Sequence, residues 1–100
     1  MSESNSYWSW GGRYVGYRIS DNLFSQQGKQ LGYFDEGDEV YSCTGKYLGE
    51  IRSNDRLITN PRKKLWTRES VVANTQRVAP GRSDVGRKEM IANFEDFPTL

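Results

Sequence analysis

The chain has no histidine, one cysteine and three prolines in 100 residues. The lack of histidine removes the commonest general base and the commonest metal ligand. Cys43 stands alone, which excludes an intramolecular disulfide, and no imidazole is present to activate its thiol. It reads as a free structural or surface thiol. No apolar run approaches the length of a signal-peptide core or a membrane span. The chain therefore reads as soluble and cytoplasmic, with no membrane partner. Phosphate loops, dinucleotide fingerprints and zinc-ligand spacings are also missing. Together these gaps point away from an enzyme and predict no cofactor and no metal.

What is present suits a small β-rich domain. Ten glycines, six tyrosines and three tryptophans are many for this length, while apolar residues make up only 35%. One domain of this size can bury a modest core without covalent staples. The net charge is +1 but its distribution is uneven. Residues 1–51 hold four basic and seven acidic side chains, whereas residues 52–88 hold ten basic and three acidic. A basic stretch can attract anions or nucleic acid; the plainer reading is a solvated set of strand edges and loops.

The strongest signal is a repeat of sixteen to seventeen residues. Tyr7-Trp8-Ser9, Leu23-Phe24-Ser25, Val40-Tyr41-Ser42 and Leu57-Ile58-Thr59 each set two large apolar residues before a hydroxyl. The first three are followed by Gly12-Arg13, Gly28-Lys29 and Gly45-Lys46, then by Val15-Gly16, Leu31-Gly32 and Leu48-Gly49. A repeated unit of this length is a small structure that buries its apolar face only against its neighbours. Each copy reads as a β-hairpin with a three-residue loop, the turn glycine at positive φ and the serine bonded back onto the turn. In that register Tyr7 faces Val15, Leu23 faces Leu31, Val40 faces Leu48 and Leu57 faces Leu65, and these four pairs are the expected core. The other face, with Trp8 and Tyr14, Phe24 and Gln30, Tyr41 and Tyr47, Ile58 and Lys64, is expected to be half-buried between petals or at a subunit contact.

Glycine inside a strand weakens it, so Gly16, Gly32 and Gly49 suggest close backbone approach or a sharp bend. The fourth copy departs from the pattern: Pro61 and Arg62 replace the turn residues and Trp66 replaces the glycine. Residues 70–79 are compatible with a closing hairpin. Met90, Phe94 and Phe97 fall at helical spacing, which allows a short docked helix in the tail. The expected organisation is a flexible lead-in over 1–6, a hairpin-repeat domain over 7–80 and a C-terminal arm over 81–100.

The run Val40-Tyr41-Ser42-Cys43-Thr44-Gly45-Lys46-Tyr47-Leu48-Gly49, with its copies over residues 7–69, resembles the small bacterial and phage domains called four-fold beta flower proteins. The resemblance implies an all-β, shallow barrel of four hairpin petals around a pseudo-fourfold axis. It implies no catalytic residue, because functions in that family are mostly unassigned.

Three sets of residues are candidates for function. Tyr17, Tyr33, Glu50 and Thr67 follow the in-strand glycine position in the four copies, and a ring of this kind could hold a small ligand or a peptide at the symmetric centre. Arg62, Lys63, Lys64, Trp66 and Arg68 combine cations with an aromatic, the chemistry that touches phosphates and stacks a base. The near-neutral net charge disfavours nucleic acid as a partner. Phe94 and Phe97 would serve as an interaction arm for a protein partner or a homo-oligomer, since aromatics are enriched at interface cores. The acidic run Asp35-Glu36-Asp38-Glu39 reads as a solvated loop rather than a cation site. A non-enzymatic binding or protein-interaction module is the function these features favour.

Overall fold

The computed structural model describes residues 5–100; Met1 to Ser4, most of the expected lead-in, lie outside the described residues. The fold is all-β. Seven strands close into a barrel in sequence order: β1 (Ser6–Ser9), β2 (Tyr14–Ile19), β3 (Asn22–Phe24), β4 (Gln30–Asp35), β5 (Glu39–Tyr41), β6 (Tyr47–Arg52) and β7 (Arg56–Thr59). Each consecutive pair is antiparallel, so the first and seventh strands run the same way and the closing pair β1–β7 is parallel. An eighth strand, β8 (Glu95–Asp96), pairs antiparallel with β7. Among the described residues no helix is long and apolar enough to cross a membrane.

The three local hairpins follow from their turn chemistry. Gly12, Gly28 and Gly45 take φ of +98°, +86° and +91°, a region open to glycine at little cost. Gly28 N–H donates to the Ser25 carbonyl at 2.9 Å, and Ser25 Oγ accepts from the Lys29 N–H at 3.2 Å. The same pair of bonds recurs at Ser9 and at Ser42. Trp8 then faces Tyr14, Phe24 faces Gln30 and Tyr41 faces Tyr47.

One step further from each turn the expected register fails. Tyr7 faces Gly16, Leu23 faces Gly32 and Val40 faces Gly49, with a register shift in each hairpin. Val15, Leu31 and Leu48 are the extra residues of three equivalent bulges. They still pack on the core, half-buried. The bulge brings bare backbone opposite the core residue, and the next petal lies against it. A Cβ on Gly16 or Gly32 would strike the carbonyl oxygen of Phe24 or Tyr41, and one on Gly49 would meet the Ile58 carbonyl oxygen at 2.7 Å and the Phe97 ring at 2.6 Å. Close backbone approach is thus the reason for the recurring glycine.

The fourth hairpin does not form locally. After β7 the chain makes a short 3-10 turn, Pro61–Lys63, capped by Asn60, whose side chain accepts from the Arg62 N–H at 3.0 Å. Leu65, expected to pair with Leu57, is 93% exposed. Its place is taken from the tail. Ile58 faces Asp96 and Thr59 faces Glu95, as Phe24 faces Gln30 in the second petal. Phe97 then occupies the position of Val15, Leu31 and Leu48 and is 2% exposed. The core comprises Leu23, Phe34, Val40, Leu57 and Phe97, flanked by Tyr7, Val15, Leu31, Leu48 and Ile51. No helix forms over residues 90–97: the spacing of Met90, Phe94 and Phe97 belongs to a turn at Ala92-Asn93 followed by β8.

Candidate functional site

Residues 64–94 neither form a closing hairpin nor hang free. They run as an extended belt past the three glycine turns in reverse order. The N–H groups of Arg68, Gln76 and Val85 donate to the carbonyls of Gly45, Gly28 and Gly12 at 2.7, 2.8 and 2.8 Å. Three residues on, Val71, Ala79 and Lys88 donate to the carbonyls of Cys43, Gln26 and Trp10 at 2.8, 2.8 and 3.0 Å. The belt therefore has its own repeat, matched to the petals. Each turn glycine is doubly required, because a Cβ there would also collide with the carbonyl oxygen of Arg68, Gln76 or Val85.

Side chains of the barrel reinforce the belt. Tyr33 Oη donates to the Glu69 carbonyl at 2.7 Å and Tyr17 Oη to the Arg77 carbonyl at 3.3 Å. At the third equivalent place the donor is Arg56 Nη2, 2.6 Å from the Gly86 carbonyl. Arg56 is buried and also donates to the Trp10 carbonyl at 3.1 Å, so backbone dipoles rather than a carboxylate satisfy its charge. Trp8 and Trp10 give their indole N–H groups to the Ser83 and Glu89 carbonyls, each at 2.9 Å. Arg56 and Trp10 are structurally central residues without a local sequence signal, because their acceptors are carbonyls far along the chain.

Of the four residues expected to ring the axis, Tyr17, Tyr33 and Glu50 do hold equivalent positions, one step past the in-strand glycines. They lie on the outer wall. Tyr17 stacks on Phe24 at 5.8 Å and Tyr33 on Tyr41 at 6.1 Å. Thr67 is not a fourth member. It belongs to the belt, bridged to Lys46 in the third petal.

The basic segment meets the acidic loop. Lys63 Nζ lies 2.8 Å from both Glu39 Oε2 and Glu50 Oε1. Tyr41 Oη donates to Glu39 at 2.9 Å, and Tyr47 Oη donates to Glu50 at 3.0 Å while accepting from the Asn60 N–H at 3.1 Å. Arg68 Nε sits 2.8 Å from Asp35 Oδ2, and Lys64 pairs with Glu95 at 2.8 Å. Of the four cations of this segment, only Arg62 makes no ion pair with a described residue, while Trp66 carries Lys63 over its ring at 5.0 Å. Burial opposes the charge on Glu39, but hydrogen bonds from Lys63 and Tyr41 outweigh it and hold the carboxyl below its ordinary value. Burial likewise opposes the charge on Lys63, and its two carboxylate partners overcome it and raise the ammonium above its usual range. Burial, then the adjoining carboxylates, pushes the Tyr41 phenol well above its ordinary value; Tyr47 is raised by burial and by Glu50. This cluster fastens the 3-10 turn to the third petal.

Cys43 is half-buried and burial raises its thiol, the opposite of what a nucleophile needs. Among the described residues no group of three or more Cys, Asp or Glu is placed to hold a metal ion. Phe97 lies in the chain's own core, and the half-buried Phe94 carries the Arg52 guanidinium over its ring at 4.9 Å. A surface cleft of about 670 Å³ lies between belt residues 79–82 and Tyr14, Tyr17 and Arg18. No family model, no curated protein and no solved structure matches this chain.

Proposed function

We propose that this chain is a non-enzymatic protein-interaction module, built on the four-fold flower plan with its fourth petal completed from the tail. The barrel serves as a rigid frame that displays the belt to a protein partner. One observation carries the reading: the belt is docked chiefly through its peptide groups, and between the docked points several of its side chains stand clear of the barrel. Val72 is 87% and Val78 73% exposed, and Arg77, Arg82 and Arg87 stand exposed between and beyond them. Exposed aliphatic residues set among exposed cations suit a partner with an apolar groove and an acidic rim. The barrel axis is filled by Leu23, Phe34, Val40, Leu57 and Phe97, which favours the rim over the centre as the contact surface. The nucleic-acid reading of residues 62–68 draws less support, because Lys63, Lys64 and Arg68 already face carboxylates.

The test is comparative capture from a source extract with the wild-type chain and the Val72→Ser/Val78→Ser variant. Both sites are exposed, so the variant keeps its fold. A partner retained by the wild type and lost by the variant supports the belt. Identical capture by both, or retention only of nucleic acid that elutes with salt, rejects it.

A further inference from the structure

A second surface stands apart from the exposed valines of the belt. Beside the 3-10 turn, a cleft of about 530 Å³ has an apolar floor of Tyr47, Leu48 and Pro98. Leu65 stands at its lip, 93% exposed, so its whole side chain is available to be buried against another molecule. The charges at the rim come in opposite signs, Lys46 and Lys64 against Glu95 and Asp96. The one ion pair among them, Lys64–Glu95, has both side chains about half exposed at 53% and 50%, so either partner can exchange it for an equivalent contact from another molecule.

We infer that this face binds a second copy of the chain, with the Leu65 of each copy seated in the Tyr47–Leu48–Pro98 cleft of the other. A knob and a hole side by side on one face are what a twofold interface requires: one rotation fills both clefts at once. The same rotation sets the lysines of one rim against the carboxylates of the other, so the patch is self-complementary in charge as well as in shape. The cleft is roomy enough for a leucyl side chain and the turn that bears it. The inference does not depend on the belt reading, because none of the belt residues tested above lines this cleft.

Sedimentation velocity of the full chain over a range of concentrations tests it. The wild type is expected to pass from monomer to dimer as concentration rises. Leu65→Ser should weaken that association at least about a hundredfold, because both copies lose the transfer energy of a buried leucine, and leave the unfolding midpoint of the monomer unchanged. Lys64→Glu should weaken it too, and Lys64→Glu/Glu95→Lys should restore it. A wild type that stays monomeric at the highest concentration overturns the inference. So does an assembly of any size that survives Leu65→Ser intact.

Discussion

Phe97→Ala separates a tail that completes the core from one that only rests on it. Phe97 is 2% exposed, packs in the cluster with Leu23, Val40 and Leu57, and lies against Gly49. Truncating a buried phenylalanine costs about 3–5 kcal/mol, the lost transfer energy plus the cavity left behind. The polar anchors of the tail survive the change. Arg13 Nη2 still reaches the carbonyls of residues 97 and 98, at 3.3 and 3.2 Å, and the Gly11 N–H still reaches the Asp96 carboxylate at 3.2 Å. The measured loss is therefore the packing itself. Against a total stability of about 5–15 kcal/mol it is a fifth or more. For a domain of this size it corresponds to a fall in Tm of about 12–40 °C. Phe94→Ala is the control: half-buried, it forfeits chiefly the Arg52 contact and should lose only about 0.5–1 kcal/mol. Urea unfolding followed by tryptophan fluorescence reads both. If Phe97→Ala costs less than about 1 kcal/mol, or no more than Phe94→Ala, the tail does not complete the fourth petal and the reasoning fails.

Gly32→Ala should destabilise by about 1–3 kcal/mol or prevent folding, because its methyl meets the Tyr41 backbone, whereas Gly86→Ala meets nothing and should be neutral or slightly stabilising; equal effects in thermal melts would contradict the packing described. Stability should form a plateau in pH. The lowered Glu39 contributes above its unfolded value near 4.5 and is lost as pH falls through its lower folded value, while the raised Tyr41 and Tyr47 contribute below their unfolded value of 10.0 and are lost as pH rises above it. Urea midpoints that keep rising below pH 4, or Lys63→Met leaving the acid limb unchanged, would count against the cluster. Amide exchange along the belt should be periodic. The N–H groups of residues 68, 71, 76, 79, 85 and 88, and that of Asn74, which donates to the buried Gln30 side chain at 2.8 Å, should be slow and the others between them fast, and uniform fast exchange over 64–90 would show that the belt is not docked.

How much of this was legible in the sequence depends on the distance between partners. The hairpins at Gly12, Gly28 and Gly45 announce themselves, because serine, turn and glycine are neighbours in the chain and the bonds they make are local. The all-β barrel follows from their repetition. The bulge at Val15, Leu31 and Leu48 was hidden: an extra residue leaves the composition of the strand intact, and the glycine it moves opposite the core answers to the backbone of the next petal. Leu65 was misplaced for a related reason. Its apolar character fitted the local pattern, while the residue that takes the fourth position, Phe97, lies at the other end of a long detour. The belt left no side-chain pattern because its docking is made by peptide groups. The candidate ring was half legible. Repeat spacing put Tyr17, Tyr33 and Glu50 at equivalent sites, but which face they share was set by the unseen bulge.

The shared flank of β7 has a consequence for handling the protein. Its first half is covered by β1 and its second half by β8, so two short segments from opposite ends of the sequence jointly hide a row of amide and carbonyl groups. A chain nicked within the long connection would release the second cover and bare Ile58 and Thr59 as a template for foreign strands. Proteolytic clipping should accordingly show itself first as turbidity, well before the remaining strands unravel.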